Sequence, residues 1–395
     1  MKKDFLTFIL CFVFVFEISA QTKKFDWGKS EYTGRPWIEN TSRPNTITDG
    51  LNDRHFSIWS SHGRYYDVNK GYWKWQRPNL FGTTEDLYTQ TIVIPYLLPM
   101  LENAGAVVIS PRERDWQKQE VIVDNDNPKI TGIISYSEVN NKKKWETIEG
   151  SGFACHQGTY ADGENPFIAG SARKIKSRKR NSKLSYVAYQ PNIPEDGDYA
   201  VYVSYKTIKK SVDDAEYIVF HKGQETHFRV NQQMGGGTWV YLGTFAFDKG
   251  CNIFNRVILT NHSKHRGVVT ADAVRFGGGM GNIARGGQIS GLPRALEGAR
   301  YYTQWAGAPR DVVSKSNGTN DYNDDINSRS LYTNWLAGGS SYIPKKEGLY
   351  LTDKQLKYIS SDEFRAFYRI ARNYQTRSLN IDKSSCYWFG INQAI

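Results

Sequence analysis

Cysteine is scarce in this 395-residue chain: Cys11, Cys155, Cys251 and Cys386 are the only four, and no two stand in a Cys-x-x-Cys spacing. That excludes a disulfide scaffold and a thiolate zinc site. Long apolar runs are missing as well. Nothing approaches the ~20 consecutive apolar residues that a membrane-crossing helix requires. Histidine is sparse, seven in all, with none after His265. There is no nucleophile elbow, no coiled-coil heptad pattern, and no Lys-Ser/Thr after the glycine run Gly277–Gly281, so that run reads as a flexible junction between domains, not a phosphate loop.

What is present begins with an export signal. Lys2 and Lys3 precede an apolar run from Phe5 to Phe16, and Ser19-Ala20 supplies a small-residue exit, so residues 1–20 read as a cleaved signal peptide. Removing them takes away two charges of each sign, Lys2 and Lys3 against Asp4 and Glu17, and leaves the formal net charge at +11. The expected location is secreted or periplasmic, in the cell envelope, with no transmembrane segment after cleavage. Much of the excess charge lies between Ala172 and Lys183, which holds seven basic residues and no acidic one. That stretch reads as a solvated loop able to contact an anionic polymer. Aromatic residues make up 14% of the chain, which suits both a sheet-rich core and the stacking of rings on sugars.

Pattern along the chain predicts an α/β domain with an inserted antiparallel β-sandwich of jelly-roll type. Residues 21–53 form an extended lead-in. His55 to Trp59 alternates like a strand and ends in the turn Ser60-Ser61-His62-Gly63. Glu85 to Asn103 has helical spacing, with a cap at Thr83 or Thr84 and kinks at Pro95 and Pro99, and Ala106 to Ser110 is a second strand. Strand, helix and strand imply a parallel crossover, so residues 54–120 are the first part of the α/β domain. From 121 to 280 short alternating segments separated by turns predict the sandwich. Residues 281–345 return to helical pattern, with helices expected over Ala295–Trp305 and Asp325–Leu336, and 346–395 form a divergent end.

Two residues stand out for chemistry. His62 follows the first strand and Glu85 opens the next helix, so the topology carries both to the carboxyl edge of a parallel sheet, where open α/β sheets place their sites. An imidazole and a carboxylate suit Zn²⁺, which in catalytic sites takes three protein ligands and a water. His221 and His227, on sandwich strands, and His262 and His265, in one basic turn, read as hydrogen-bonded or solvent-facing.

The segment His55–Asp115, through Ser61-His62-Gly63, Glu85-Asp86-Leu87, Leu101 to Gly105, Val107–Ile109 and Pro111-Arg112, resembles the first half of a zinc-dependent N-acetylmuramoyl-L-alanine amidase. Arg329 to Asn334 resembles the helix that follows in that family. The resemblance implies that His62 and Glu85 are metal ligands. It also implies a third histidine on the strand after the Arg329 helix and a catalytic Glu later still; neither is found, no histidine follows His265, and Asp353, Asp362 and Glu363 are the candidate oxygen ligands in its place. Within the inserted region Trp239–Leu242, Val257–Asn261 and Thr270–Gly277 resemble the carbohydrate-binding-type sandwich of golvesin and of xanthan lyases. That likeness implies glycan contacts, for which Trp239 and Tyr241 are the candidates.

The expected function is therefore an exported peptidoglycan hydrolase of amidase type with a glycan-binding sandwich. Its partner would be peptidoglycan or a surface polysaccharide, its cofactor Zn²⁺, and no nucleic acid is expected. A catalytically incomplete glycan-binding protein is the alternative. Polysaccharide processing of the xanthan-lyase kind is the third.

Overall fold

In a computed structural model, residues 35–48, 50–52, 54–126 and 135–336 are described, together with the backbone of the strands Leu379–Ile381 and Tyr387–Ile391. The signal peptide, residues 21–34 of the lead-in, and Asp353, Asp362 and Glu363 lie outside the described residues.

Most of the described chain is β-structure in antiparallel sheets. One sheet of the sandwich has six strands, in the order Ile38–Asn40, Gln224–Val230, Ala215–His221, Arg256–Thr260, Tyr186–Tyr189 and Tyr136–Val139. The facing sheet has four, in the order Val240–Phe247, Gly197–Val203, Ala273–Phe276 and Val121–Asp124. Period-two patterning accounts for the first sheet: along Ala215–His221, Ala215, Tyr217 and Val219 point into the core while Glu216 and Ile218 are only half-buried. The second sheet departs from it. Tyr199 to Val203 are all buried, because this sheet is covered on both faces.

The outer cover is helical. Thr238 Oγ1 meets the Tyr332 hydroxyl at 2.9 Å, joining the sandwich to the helix Asp321–Leu336. Beside it, Phe153, Phe167, Trp239 and Trp305 form a cluster of mostly edge-to-face rings with centroids 4.8–6.4 Å apart. Such pairs add about 1 kcal/mol each to the burial of the rings themselves. Trp305 belongs to the helix Ala299–Trp305 and Trp239 to the sandwich, so the two parts share one core.

The predicted crossover is present. His55–Ile58 and Val107–Ile109 run parallel, and Tyr387–Ile391 adds to the far side of His55–Ile58, also parallel. The divergent C-terminal segment thus supplies a strand to the central sheet. Alternation sorts the faces: Ile58 and Val108 pack on Val93 and Leu98, while Ser57 on the opposite face meets Thr333 Oγ1 at 2.7 Å. Helices therefore lie on both sides of this small sheet.

Several expectations need correction. The segment between the parallel strands is a broken series and not one kinked helix: Glu85–Tyr88, Gln90–Ile92, a π-helical turn Val93–Leu97, and Leu98–Asn103. Pro95 lacks the N–H of the i→i−4 ladder and its ring crowds the carbonyl one turn back, which the wider π-turn relieves. Ile38–Asn40 of the lead-in pairs with Phe228–Val230 as an edge strand, so the sandwich also draws on residues before 121. Within the basic run, Arg173–Lys176 is a strand paired with Val268–Ala271. The Gly277–Gly281 run is a packed junction: a Cβ at Gly277 would lie 2.2 Å from the Gln119 carbonyl oxygen, and one at Gly278 would lie 2.3 Å from that of Asp115. These glycines serve close backbone approach instead of flexibility. No disulfide joins Cys155 to Cys251.

Candidate functional site

Thr84 caps the first helical turn, its hydroxyl accepting from the Asp86 N–H at 3.3 Å, and this sets Glu85 and Asp86 at a helix start. The turn carrying His62 is fixed from the other side. Arg112, fully buried, donates to the Ser60 carbonyl at 2.8 Å, to the Ser60 hydroxyl at 2.9 Å, to the His62 carbonyl, and to the carbonyls of Ala295 and Glu297 at 2.9 and 3.1 Å. Gly63 lets this happen: a Cβ there would stand 2.6 Å from the Glu297 carbonyl and 2.7 Å from the Arg112 guanidinium. Arg112 is thus a positioning residue for the histidine turn.

His62 and Glu85 are brought together, with His62 Nδ1 3.4 Å from Glu85 Oε1. Asp86 joins them, its Oδ1 3.8 Å from the same nitrogen. His62 is 7% exposed and Asp86 fully buried, and neither His62 Nδ1 nor Asp86 Oδ1 has a hydrogen-bond partner. Burial, then the positive charges of Arg329 and Arg77, push His62 down to about 3, so its imidazole is neutral across the physiological range. A neutral ring nitrogen facing two carboxylates is a donor set that fits a zinc-like divalent cation. Among the described residues, only Asp213, Asp214 and His265 place three potential ligand atoms within 4.8 Å of one another. The groups around His62 would have to close in to share one ion.

Arg77 was not legible as part of this site. Its Nη2 lies 2.8 Å from His62 Nε2, its Nε 3.4 Å from Glu85 Oε2, and its backbone N–H donates to Asp86 Oδ2 at 2.9 Å. A guanidinium only donates, so Nε2 must accept and the ring proton sits on Nδ1. A metal at Nδ1 would move that proton to Nε2 and expel Arg77. Asp325 lies behind the site, accepting from Gln76 Nε2 at 2.6 Å and from Arg329. Burial favours its neutral form, but the Arg329 and Arg112 guanidinium groups and the Gln76 hydrogen bond together outweigh this and hold it below the usual carboxylate range. Asp86 stood in the motif beside Glu85, and its acidic position in the first helical turn is the one sequence signal that pointed to it.

The candidate glycan residues separate. Trp239 is 4% exposed and enclosed by Phe153, Phe167 and Trp305, so neither ring face is open to a sugar. Tyr241, two residues on and half-buried, lines a cleft of about 510 Å³ between the sandwich and the α/β layer, with Glu39, Arg43, Glu102, Arg229 and Phe245. One face of its ring carries the Arg114 guanidinium at 3.9 Å. The remaining histidines are engaged locally, His221 Nε2 with Thr226 Oγ1 at 3.0 Å and His265 Nδ1 with Asp213 Oδ1 at 2.6 Å.

The fold is thus an antiparallel β-sandwich packed on a small parallel α/β layer. Residues 156–278 match the family described as the Golvesin C-terminal domain. Over 92 residues the chain is 34% identical to a xanthan lyase from Bacillus sp. (strain GL1), which covers 23% of this chain and 10% of that protein. The match therefore spans about a tenth of that relative's length. Among solved structures, a Paenibacillus xanthan lyase is similar at 24% identity and a TM-score of 0.29, over 40% of this chain and 13% of that one. The C-terminal CBM6 of LamC, a marine laminarinase from Zobellia galactanivorans, is similar at 15% identity and a TM-score of 0.23, over 40% and 99% of the two chains. No helix among the described residues is long and apolar enough to cross a membrane.

Proposed function

We propose that the chain is an exported, glycan-directed protein of the cell envelope whose sandwich holds a carbohydrate polymer and whose α/β layer carries a hydrolytic centre of N-acetylmuramoyl-L-alanine amidase type. The pairing of His62 Nδ1 with Glu85 Oε1, beside an unpartnered Asp86 Oδ1, is the observation that carries the hydrolytic half. Similarity of residues 156–278 to the Golvesin C-terminal domain and to part of a xanthan lyase supports the glycan half. His62, Glu85 and Asp86 would hold the ion, which supplies a Lewis acid for an amide carbonyl and an acidified water. Arg112 keeps the His62 turn in place. Asp325 holds Arg329 behind the site.

The test uses full-length protein. Stoichiometric zinc by elemental analysis, with release of stem peptides from peptidoglycan that His62→Ala abolishes, is the expected result. Zinc-free protein that releases no peptide overturns the hydrolytic half. A second reading, binding without hydrolysis, is favoured by Arg77, whose contact to His62 Nε2 keeps the ring proton on Nδ1, the nitrogen that would face the ion, and whose Nε lies 3.4 Å from Glu85 Oε2. In that case protein without zinc still sediments with peptidoglycan.

A further inference from the structure

Charge is distributed unevenly over the sandwich, and the structure gathers segments that are far apart in sequence. Asn141 Nδ2 donates to the Leu184 carbonyl at 2.5 Å and Ser185 Oγ to the Lys143 carbonyl at 2.6 Å, so loop 140–144 lies against the end of segment 176–185. Ser177 N–H donates to the Gly267 carbonyl at 2.9 Å and Arg178 N–H to that of Asn261 at 2.7 Å, bringing in loop 261–267. Val268 N–H donates to the Lys210 carbonyl at 2.8 Å and adds a fourth segment. The four meet at one end of the sandwich.

That end is densely basic. Three exposed lysines come from 142–144, four exposed lysines or arginines from 176–183, two lysines from 209–210, and Lys264 and Arg266 from the last loop. None of these eleven is ion-paired with a described carboxylate. The neighbouring acids are already engaged: Asp213 takes His265 at 2.6 Å, and Asp214 accepts from Ser263 Oγ and from the Lys264 N–H at 2.9 Å. Gathering so many like charges at one end of the sandwich costs self-repulsion that a polyanion would relieve.

We infer that this end of the sandwich is a binding surface for an acidic polysaccharide, one bearing carboxylate or sulfate groups along its chain. This deepens the glycan half of the proposed function and rests on it. The residue types of these loops narrow the polyanion. The four loops contain no Phe, Tyr or Trp, whereas single-stranded nucleic acid is held by bases stacked on aromatic rings. They present no exposed large apolar residue to enter a bilayer. Lysine predominates over arginine, and its mobile point charges suit irregularly spaced acidic groups better than bidentate recognition of one phosphate.

The experiment is affinity electrophoresis of the full-length chain in gels holding polygalacturonate, with neutral dextran as control and peptidoglycan sedimentation in parallel. Retardation by polygalacturonate and not by dextran is expected, weakening with added salt. The variant Lys143→Glu/Lys179→Glu/Arg180→Glu, altered only at exposed side chains, should bind about tenfold more weakly or worse while keeping the wild-type melting temperature. Unchanged retardation of the variant, or tighter binding of an oligo-dT strand than of polygalacturonate at equal salt, overturns the inference. Peptidoglycan sedimentation without any polygalacturonate binding sinks this inference alone. Loss of both sinks the glycan reading as well.

Discussion

Asp124, at the end of the strand Val121–Asp124, is 1% exposed, and neither of its carboxylate oxygens makes a well-formed hydrogen bond. Burial, reinforced by the negative charge of Asp272, pushes its carboxyl up to about 9, and Asp272 itself is raised to about 7, chiefly by burial. An acid whose folded-state value is raised keeps a proton that the unfolded chain has lost, so stability is greatest at low pH and falls as pH rises. Between pH 7 and pH 9 the folded state retains the Asp124 proton while the unfolded state does not. Each pH unit then costs ~1.4 kcal/mol, or about 2 kcal/mol across the window after allowing for partial ionisation near its top. Asp124 dominates this window: Asp272 and Glu297, both raised by burial to about 7, finish titrating at its lower edge and add a smaller decline. His62 titrates far below it, and Cys155, raised by burial to about 11, adds a decline only near its top, where the unfolded thiol ionises. Urea unfolding at pH 7, 8 and 9 should show the decline in wild type and a much flatter profile in Asp124→Asn, whose amide matches the protonated carboxyl in size. A wild type that is flat over this range, or a variant that declines equally, would refute the burial of an uncompensated carboxyl at this position.

Three further predictions follow from the geometry. Arg77→Gln removes the guanidinium that holds the ring proton on His62 Nδ1, so zinc affinity, read by competition with a chromophoric chelator, should rise about tenfold, the scale on which neighbours of metal ligands act; unchanged affinity would mean that Arg77 does not compete with the ion. Trp239→Ala should cost about 3–5 kcal/mol in denaturant unfolding, as expected for a large aromatic deleted from a closed core. Tyr241→Ala should instead weaken peptidoglycan sedimentation at a smaller cost in stability, and equal stability losses for the two variants would contradict their different placement.

The strands were legible wherever one face meets solvent. Ala215–His221 shows in its residues the alternation that its burial repeats. The crossover was legible too, since apolar strand, helical spacing and apolar strand allow few arrangements. The π-turn was not, because periodicity registers that Pro95 breaks the ladder but not how the backbone recovers. In the sequence Trp239 and Tyr241 look alike, aromatic residues two apart in one alternating stretch, although the strand itself begins at Val240 and Trp239 immediately precedes it. A sheet normally sends both to the same face, and only the helices packed outside that face determine which ring is enclosed and which meets the cleft. The junction at Gly277–Gly281 misled for a related reason: glycine serves both mobile linkers and tight approaches, and the nearby carbonyls of Asp115 and Gln119 decide between them.

By itself, the sequence determined the alternation of sheet and helix, the placement of His62 after a strand and Glu85 at a helix start, and the excess of positive charge, because each is written in local spacing and residue type. Tertiary structure alone decided that Arg77 caps both residues, that Asp86 aims an unpartnered oxygen at His62, and that four separate basic loops form one surface. Those features join residues through space across loops whose paths are set by packing, and no local pattern encodes where such loops meet.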